Sequence, residues 1–401
     1  MKIIYDKVWG DIPMSDLAIS IIDTPMYHRM SYIKQTSMAY RVFPTATHTR
    51  FNHQVGVYGL LKKTLNTLIN KGHLIISEGE PLTPEKMTER VKNGLKPCIT
   101  KDEFEWICLG GLLHDLGHGP ASHTFDDLIE ELTDKNLITN KKWATHEERS
   151  QDIFRYMVKE DNINISQEGV DYICNIINPP TAFHNDFRFQ FVNNEVNGVD
   201  TDKMDYICRD CMVFGIASHV NIERIIDNSS IVYDDTNNTE GTYWSFSERI
   251  KGEVFNLFMM RYQLYRDIYN HPKVIKFEIA YKAVLMDNVE FILECFKTNN
   301  VSMFMEMTDE SMYWRASEKV RNEFISRDTY KLVPNNTIEN PIIIEETVGF
   351  FGKCGFNPFQ CIRFHDRNTY DVKRIPLSQI NIFLCFDCTC EILRYEYKYD
   401  N

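Results

Sequence analysis

The sequence lacks an apolar run long enough to cross a membrane. Its longest such run, residues 106–113, is far shorter than the roughly 20 residues that a transmembrane helix needs. The N-terminus also lacks a continuous hydrophobic segment followed by a small-residue cleavage site. We therefore expect no membrane span and no secretion, and we expect an intracellular protein, either cytoplasmic or nuclear.

An excess of basic residues is missing as well. The chain has 44 Lys and Arg residues against 57 Asp and Glu residues, which gives a formal net charge of -13. Because phosphate backbones are neutralised by clustered cations, this balance argues against a globally basic nucleic-acid binder. A small anionic ligand remains compatible with the sequence if cations are concentrated locally.

The sequence shows no disulfide framework either. Its 11 cysteines are scattered along 401 residues and odd in number, which favours reduced thiols in an intracellular protein. Two groups stand out: Cys208 and Cys211 in an expected helix, and Cys385, Cys388 and Cys390 in an expected strand. A four-cysteine zinc site would need a second pair that we cannot assign, so we favour core residues over structural metal.

Apolar residues instead recur at helical spacing. With 43% hydrophobic residues, the chain can bury a large core. From about residue 15 to 330 the apolar positions repeat at three and four, and the segment after His53 shows this clearly. Polar stretches at 71–103, 134–146 and 228–243 indicate loops.

The pattern changes after about residue 330. Short strand-like segments occur at 342–344, 362–364 and 380–386, and the last residues alternate tyrosine or leucine with charge. No internal repeat is present. We predict a mainly α fold, with a helical core at 1–330 and a smaller C-terminal α+β lobe at 331–401 that is regulatory or oligomerising.

The motif richest in chemical groups follows a buried helix and reads HDLGHGPASHTFD from His114. A histidine and a carboxylate at the end of a buried helix lose solvation unless they are paired or bind a cation. Gly117 and Gly119 permit a tight bend and a close approach of a ligand. His53 upstream and Asp202 downstream would complete a mixed nitrogen and oxygen ligand set, suited to Fe, Mn, Co, Zn or Mg.

The order His53, His114-Asp115, Asp202 is the H…HD…D signature of the HD superfamily. Together with IIDTPMYHRMSYIKQ, FPTATHTRFNHQVGV, THEERS and DTDKMDYICRDC, it resembles the SAM-and-HD-domain deoxynucleoside triphosphate triphosphohydrolase family. The resemblance continues into RYQLYRDIYNHP and NPFQCIRFHDR and so covers most of the chain from Lys2. It implies an HD-domain helical phosphohydrolase core, and we expect no SAM module in this chain.

The resemblance implies a reaction in which water on the metal attacks the α-phosphate of a dNTP and releases deoxynucleoside and inorganic triphosphate. His53, His114, Asp115 and Asp202 would hold the divalent metal, and Mg²⁺ would accompany the nucleotide. The residues implied around the α-phosphate are His118, His123, His146 and Asp126. We nominate His123 as general acid, with Asp126 orienting its neighbours. By itself, His146 would be interpreted as a helix-start residue.

The resemblance also implies the substrate contacts. Arg50, Lys203 and Arg261 match phosphate-binding positions, and Tyr206 matches a tyrosine near phosphate. Gln35 and Asp210 match residues that bind the 3′-hydroxyl, and Tyr269 matches the aromatic residue that excludes a 2′-hydroxyl. Spacing independently puts Lys203, Tyr206 and Asp210 on one helix face. Spacing alone would favour an aromatic packing stripe for Arg261, Tyr265 and Tyr269, and the resemblance reverses that preference.

Regulatory positions match less well. The family is activated by guanine nucleotides and deoxynucleotides that assemble a tetramer, which makes GTP or a dNTP the expected activator and a dimer or tetramer the expected oligomer. Cations or matching residues persist at five possible allosteric positions: Asp23, Arg224, Arg249, His271 and Arg367. Conversely, Ser31, His28, Glu253 and Pro272 depart from the family pattern. Lost cations and an added carboxylate weaken polyphosphate binding, so we expect GTP activation to be altered or lost.

Two alternatives stay open at this point. One is an HD phosphohydrolase of other specificity, such as a monophosphatase or phosphodiesterase. The other is a non-catalytic relative that binds nucleic acid. Lys203, Arg261 and Tyr269 favour a triphosphate and a deoxyribose, and the acidic net charge disfavours nucleic acid.

Overall fold

Helices dominate the computed structural model, which describes residues 2–236, 239–334, 340–350, 357–373, 375–381 and 390–399. The helices are α1 Asp16–Ile22, α2 Pro25–His28, α3 Arg50–Asn70, α4 Pro84–Lys92, α5 Lys101–Leu113, α6 His123–Asp134, α7 His146–Glu160, α8 Gln167–Ile177, α9 Thr201–Phe214, α10 Ile222–Asp227, α11 Lys251–Leu264, α12 Pro272–Asp287, α13 Val289–Thr298, α14 Val301–Met305, α15 Asp309–Arg315, α16 Glu318–Ile325 and α17 Leu377–Ile380. A π-helical segment, Tyr265–Tyr269, continues α11.

The strands form small sheets. They are β1 Lys2–Asp6, β2 Gly10–Met14, β3 Ile75–Ser77, β4 Cys98–Thr100, β5 Ser229–Asp234, β6 Gly241–Ser247, β7 Tyr330–Val333, β8 Ile342–Gly349, β9 Phe364–His365, β10 Val372–Lys373 and β11 Cys390–Tyr399. β1 pairs with β2 and β3 with β4, and the larger sheets have the orders β10-β9-β6-β5 and β7-β11-β8. The expected mainly α fold with a smaller α+β part is confirmed.

Three helices converge on the region where the predicted ligands lie. α3 packs against both α5 and α9. Thr100 caps α5 in a capping box with Glu103, and from Trp106 to Leu113 the helix is buried. Asp200 caps α9 by accepting a hydrogen bond from the Lys203 backbone N–H at 2.9 Å. The start of α3, the end of α5 and the start of α9 are therefore held rigidly beside one another.

Several expected loops contain regular structure instead. The stretch at 228–243 contributes to the hairpin of β5 and β6, whose residues pair from Ser229↔Phe246 to Asp234↔Gly241. Every residue of β6 is buried, including the polar Thr242, Ser245 and Ser247. The stretch at 71–103 contains α4 and the parallel pair β3 and β4. Both predictions of a loop were wrong, because long-range contacts stabilise polar strands and helices.

The C-terminal residues divide between two sheets. β11 lies between β7 and β8, pairing Tyr397 with both Leu332 and Ile342. β9 instead pairs in parallel with β6, through Phe246↔Phe364. The strand expected at 380–386 begins where α17 ends, and residues 382–389 lie outside the described residues. The proposed boundary at residue 330 stays a prediction.

Two further expectations concern membranes and thiols. Among the described residues, we find no helix with the length and apolar character needed to span a bilayer. Seven described cysteines are free, and Cys208 and Cys211 lie on α9 as expected. Cys390 is disulfide-bonded, contrary to the expectation of reduced thiols, and Cys385 and Cys388 lie outside the described residues.

Candidate metal centre and active-site cavity

The four predicted metal ligands come together where the three helices converge. His53 Nε2 lies 2.9 Å from Asp202 Oδ1 and 3.3 Å from His114 Nε2. His114 Nε2 lies 3.5 Å from Asp202 Oδ1 and 3.4 Å from Asp115 Oδ1. The donor atoms of His53, His114 and Asp202 all lie within 4.8 Å of one another. Two imidazoles and the Asp202 carboxylate therefore face a common point, and Asp115 lies between this group and the neighbouring His118 and His146.

Hydrogen bonds at Nδ1, the other nitrogen of each ring, indicate the orientation and tautomer of these imidazoles. His114 Nδ1 lies 2.8 Å from the Gly111 carbonyl oxygen, which can only accept, so Nδ1 carries the proton. His53 Nδ1 lies 2.7 Å from the Asp205 carboxylate, which accepts in the same way. Each Nε2 is then the ring atom that faces the other histidine and Asp202. This arrangement is typical of metal-ligating histidines.

The electrostatics of the centre also favour a bound positive charge. Burial lowers the pKa of His53, but hydrogen bonds to Asp202 and Asp205 more than offset it and raise that pKa to about 10. Burial acts to raise the pKa of Asp115, yet Arg50 and the neighbouring histidines hold it well below its usual range. Without a metal, His53 therefore holds a proton at neutral pH, and a divalent cation would take the place of that proton.

A second cluster of three histidines surrounds Asp126. Asp126 Oδ2 lies 3.3 Å from His118 Nδ1 and 3.7 Å from both His123 Nδ1 and His146 Nδ1. The rings of His118 and His146 stack with centroids 4.0 Å apart. His118 Nε2 lies 3.3 Å from Asp115 Oδ1, which joins this cluster to the metal centre. Three of the predicted active-site imidazoles thus share one carboxylate.

Two histidines of this cluster, His123 and His146, have pKa shifts of opposite direction. Burial lowers the pKa of His123, but the neighbouring Asp126 carboxylate outweighs it and the pKa is raised. For His146, burial and the neighbouring His118 push the pKa well below its usual value. The His123 side chain is 66% exposed, whereas that of His118 is buried. His123 is accordingly the histidine that can carry a proton and meet a ligand.

Arg149 holds Asp126 in place, and sequence reasoning missed it. This arginine is fully buried and forms an ion pair with Asp126. Its other guanidinium nitrogens donate to the carbonyls of Gly117 at 2.8 Å and Trp143 at 2.9 Å. Arg149 lies inside the THEERS motif, but nothing in the local pattern showed that its side chain turns inward.

A cavity of about 520 Å³ adjoins both clusters. All seven predicted substrate-binding residues line it, namely Gln35, Arg50, Lys203, Tyr206, Asp210, Arg261 and Tyr269. His114, Asp115, His118, His123, His146 and Asp202 line it as well. His53 and Asp126 are absent from the lining and contact these residues from behind it.

The three predicted cations are anchored by protein contacts. Arg50 donates to Asp115 Oδ2 at 2.6 Å and to Ser122 Oγ at 3.0 Å. Lys203 Nζ lies 3.0 Å from Asp200 Oδ2. The Arg261 guanidinium donates to a backbone carbonyl at 2.6 Å and its carbon lies 4.2 Å from the Tyr265 ring centroid. These contacts fix the three cations in the cavity wall, which also contains carboxylates.

Tyr269 and Asp210 form a second polar feature of the wall. The Tyr269 hydroxyl donates to Asp210 Oδ2 at 2.5 Å, and His48 Nε2 lies 2.7 Å from Asp210 Oδ1. Tyr269 ends the π-helical segment, which changes the helical phase that simple spacing assumes. Sequence reasoning missed His48 as an Asp210 partner, although it belongs to the quoted HTRFNH segment.

Carboxylates that sequence reasoning did not assign also line the cavity. They are Asp127, Glu147, Glu278 and Glu346. Burial, with the charges of Asp127 and Glu346, raises the pKa of Glu278 to about 7. Glu346 belongs to β8 and Glu278 to α12, so residues more than 60 positions apart meet at this wall.

The five possible allosteric residues lie elsewhere, since none lines the cavity. Asp23 contacts Lys2 at 3.2 Å, and Arg224 lies 3.8 Å from Glu253. His271 caps α12 by accepting from the Lys273 backbone N–H at 3.1 Å. Arg249 lies just before α11 and Arg367 in the turn between β9 and β10. Their proposed regulatory role stays a prediction.

No family model matches the chain. Comparison with known proteins nevertheless finds similar sequences. An HD domain-containing protein, L394 of Acanthamoeba polyphaga mimivirus, is 32% identical over 315 residues, covering 78% of this chain and 63% of the relative. The deoxynucleoside triphosphate triphosphohydrolase SAMHD1 of Homo sapiens is 30% identical over 293 residues, covering 68% of this chain and 42% of the relative. That of Gallus gallus is 28% identical over 379 residues, covering 88% and 56%. The chain thus spans less than two thirds of the length of these relatives.

Proposed function

This chain belongs to the HD-domain family that includes its SAMHD1 relatives, and from that premise we propose that it hydrolyses deoxynucleoside triphosphates to deoxynucleoside and inorganic triphosphate. The observation that carries the proposal is the shared cavity. Metal ligands, the histidine cluster, three cations and the Tyr269–Asp210 pair all adjoin one space of about 520 Å³. A volume of that size suits a small-molecule substrate.

HD-domain membership implies a divalent metal, and the donor set fits one. We assign His53, His114, Asp115 and Asp202 as its ligands. When bound, such an ion supplies a Lewis acid that makes hydroxide available near neutral pH. Asp205 and the Gly111 carbonyl keep the two imidazoles in the tautomer that ligation needs.

The inner cations are assigned to the phosphates. A triphosphate carries about four negative charges, which must be neutralised as the group leaves water. Arg50, Lys203 and Arg261 line the cavity and are held in place by Asp115, Asp200 and a backbone carbonyl. Because these cations are already anchored, little side-chain entropy is lost when they meet a polyphosphate.

His123 is assigned as the proton donor. Cleavage between the α-phosphorus and the 5′-oxygen leaves an alkoxide that needs a proton. The pKa of His123 is raised by the neighbouring Asp126 carboxylate, and its side chain is exposed at the cavity. Asp126 orients the His123 ring, and Arg149 in turn holds Asp126.

The sugar is assigned to the wall formed by Gln35, Asp210 and Tyr269. The Gln35 Oε1 atom is buried and has no hydrogen-bond partner among the residues that the structure describes, so a ligand hydroxyl would satisfy it. Asp210 is a second acceptor for the 3′-hydroxyl. The Tyr269 ring, fixed by its bond to Asp210, is assigned to exclusion of a 2′-hydroxyl.

Regulation and domain roles complete the proposal. We assign residues 1–330 to the catalytic core and 331–401 to a regulatory or oligomerising lobe of a homo-oligomer. Glu346 and Thr347 of this lobe line the cavity, which supports a coupling between the two parts. Glu253 lies near Arg224 and offsets its charge, which supports weak or absent activation by GTP.

One experiment tests the function. The full chain is incubated with each dNTP, the matching rNTPs, a deoxynucleoside monophosphate and a single-stranded oligonucleotide, with Mg²⁺ or Mn²⁺ and with or without GTP. Products are separated by anion-exchange chromatography. Inorganic triphosphate from dNTPs is expected. Cleavage of only the monophosphate or the oligonucleotide, or tight binding without turnover, would overturn the proposal.

A pair of variants assigns the activity to the proposed centre. Asp202→Ala removes one metal ligand and should abolish turnover. Asp227→Ala, which removes an exposed aspartate paired with Lys71, should behave as the wild type. Full activity of Asp202→Ala would refute the ligand assignment.

A further inference from the structure

The tip of the N-terminal hairpin contacts the surroundings of the metal ligand His53. The indole Nε1–H of Trp9 donates to Asp205 Oδ1 at 2.5 Å, across 196 positions of sequence. Asp205 Oδ2 accepts from His53 Nδ1 at 2.7 Å. We propose that Trp9 is a positioning residue for the metal ligand His53 and that it acts through the Asp205 carboxylate.

The Asp205 carboxylate has little freedom to move. Besides Trp9 and His53, it accepts two hydrogen bonds from Arg209, from Nε and from a terminal nitrogen, each at 2.8 Å. Asp205 itself is fully buried. Each carboxylate oxygen therefore has two donors. The donors to one oxygen help to fix the position of the other, which faces His53.

The hairpin holds this ion pair from two sides. Asp6 Oδ2 accepts from Arg209 at 2.9 Å. The other Asp6 oxygen accepts from the backbone N–H of Val8 at 2.8 Å and of Trp9 at 2.9 Å. The turn between β1 and β2 thus presents Asp6 to Arg209 and Trp9 to Asp205 as one unit.

Helix α3 leaves room for the same ion pair. A Cβ atom at Gly56, three residues after His53, would lie 2.1 Å from an Arg209 guanidinium nitrogen and 2.2 Å from Asp205 Oδ1. Only glycine permits this approach without displacing the pair. The ion pair accordingly lies against the helix turn that carries His53.

Loss of the indole N–H should loosen the centre without removing a ligand. Carboxylates that hydrogen-bond to a ligating histidine fix its ring orientation and tautomer, and their loss typically weakens metal binding by about 10–100-fold. In Trp9→Phe, Asp205 Oδ1 would keep only its donor from Arg209. The carboxylate could then turn away from His53. This inference rests on the proposed metal centre.

Titration of Mn²⁺ into the metal-free full chain, followed by the electron paramagnetic resonance signal of free Mn²⁺, tests the inference. The wild type should bind one equivalent at this centre. Trp9→Phe should bind one equivalent with an affinity about tenfold lower. Arg209→Lys keeps the charge but lacks the planar fork of donors that Arg209 directs at Asp6 and both Asp205 oxygens, and it should weaken binding at least as much.

Trp143→Phe is the matched control. It also removes an indole N–H bonded to a carboxylate, here Asp152 at 2.9 Å, from a fully buried tryptophan. Its Mn²⁺ affinity should equal that of the wild type even if its unfolding midpoint falls. Wild-type affinity in folded Trp9→Phe or Arg209→Lys, or an equal loss in Trp143→Phe, would overturn the positioning role. Failure of the wild type to bind Mn²⁺ would overturn the metal centre itself, and this role with it.

Discussion

Gly117→Ala tests the packing of α7 against the turn at residues 114–117, which follows α5 and is called the HD turn below. A Cβ atom at position 117 would lie 2.1 Å from the His146 carbonyl oxygen and 2.5 Å from the Ser150 backbone nitrogen. Ordinary contact begins at 3.4 Å, so the backbone of α7 would have to move by more than about 1 Å, which is the scale of an overpacked core. Because both contacting atoms belong to backbone, no side-chain rotation can relieve the clash.

The displacement would act on stability and on catalysis together. Overpacking of this kind costs about 1–3 kcal/mol in unfolding free energy. His146 begins α7 and stacks on His118 at 4.0 Å, so it would move relative to the phosphate site. A misplacement of about 1 Å can lower the rate about 100-fold. Urea denaturation and triphosphate release from a dNTP measure the two effects.

Gly252→Ala provides the control for this experiment. Gly252 lies in the first turn of α11, and a Cβ atom there would meet nothing within 4 Å. Alanine should leave turnover unchanged and raise stability by up to about 1 kcal/mol. Wild-type turnover and stability in Gly117→Ala would refute the packing of the HD turn described above.

Four further outcomes are expected. Arg149→Met leaves the half-buried Asp126 without its ion-pair partner and should cost up to about 3 kcal/mol in a urea titration; an unchanged midpoint contradicts this. The pKa of Glu278 is raised from 4.5 to about 7, so its ionisation destabilises the folded protein as pH rises through that window. Glu278→Gln should therefore raise the free energy of unfolding by at most roughly 3 kcal/mol above pH 7 and leave it unchanged near pH 4.5. A pH-independent difference in calorimetry argues against this. Tyr269→Ala should raise the ratio of kcat/KM for rNTPs over dNTPs at least about tenfold. An unchanged ratio would show that Tyr269 does not select the sugar. Hydrolysis of dNTPs should be measurable without GTP, whereas activity that appears only with GTP contradicts the proposed loss of activation.

Local sequence patterns predicted the parts of the site that depend on one helix at a time. The apolar helix that ends at His114 is α5, and the helix expected after His53 is α3. The spacing of Lys203, Tyr206 and Asp210 placed them on one face, and all three line the cavity. Such predictions succeed because helical period alone decides which residues share a face.

Patterns of this kind were less informative where buried groups are polar. β6 is buried along its whole length, so its polar residues Thr242, Ser245 and Ser247 do not mark a solvated face. Arg149 is likewise polar and fully buried, and only its contacts with Asp126 and two backbone carbonyls explain that position. In a local sequence pattern, charged and polar residues indicate solvent exposure. These polar groups are buried instead, because hydrogen-bond partners from distant segments satisfy them.

By itself, the sequence predicted a metal-dependent chemistry, because His53, His114, Asp115 and Asp202 follow the H…HD…D signature of the HD superfamily. It also determined the mainly helical fold, through the spacing of apolar residues. Only the tertiary structure decided how those donors are held. Trp9 meets Asp205 across 196 positions, and neither residue carries a local signal of the other. Hydrogen bonds between distant segments depend on where whole helices and hairpins pack, and that packing is a property of the folded chain as a whole.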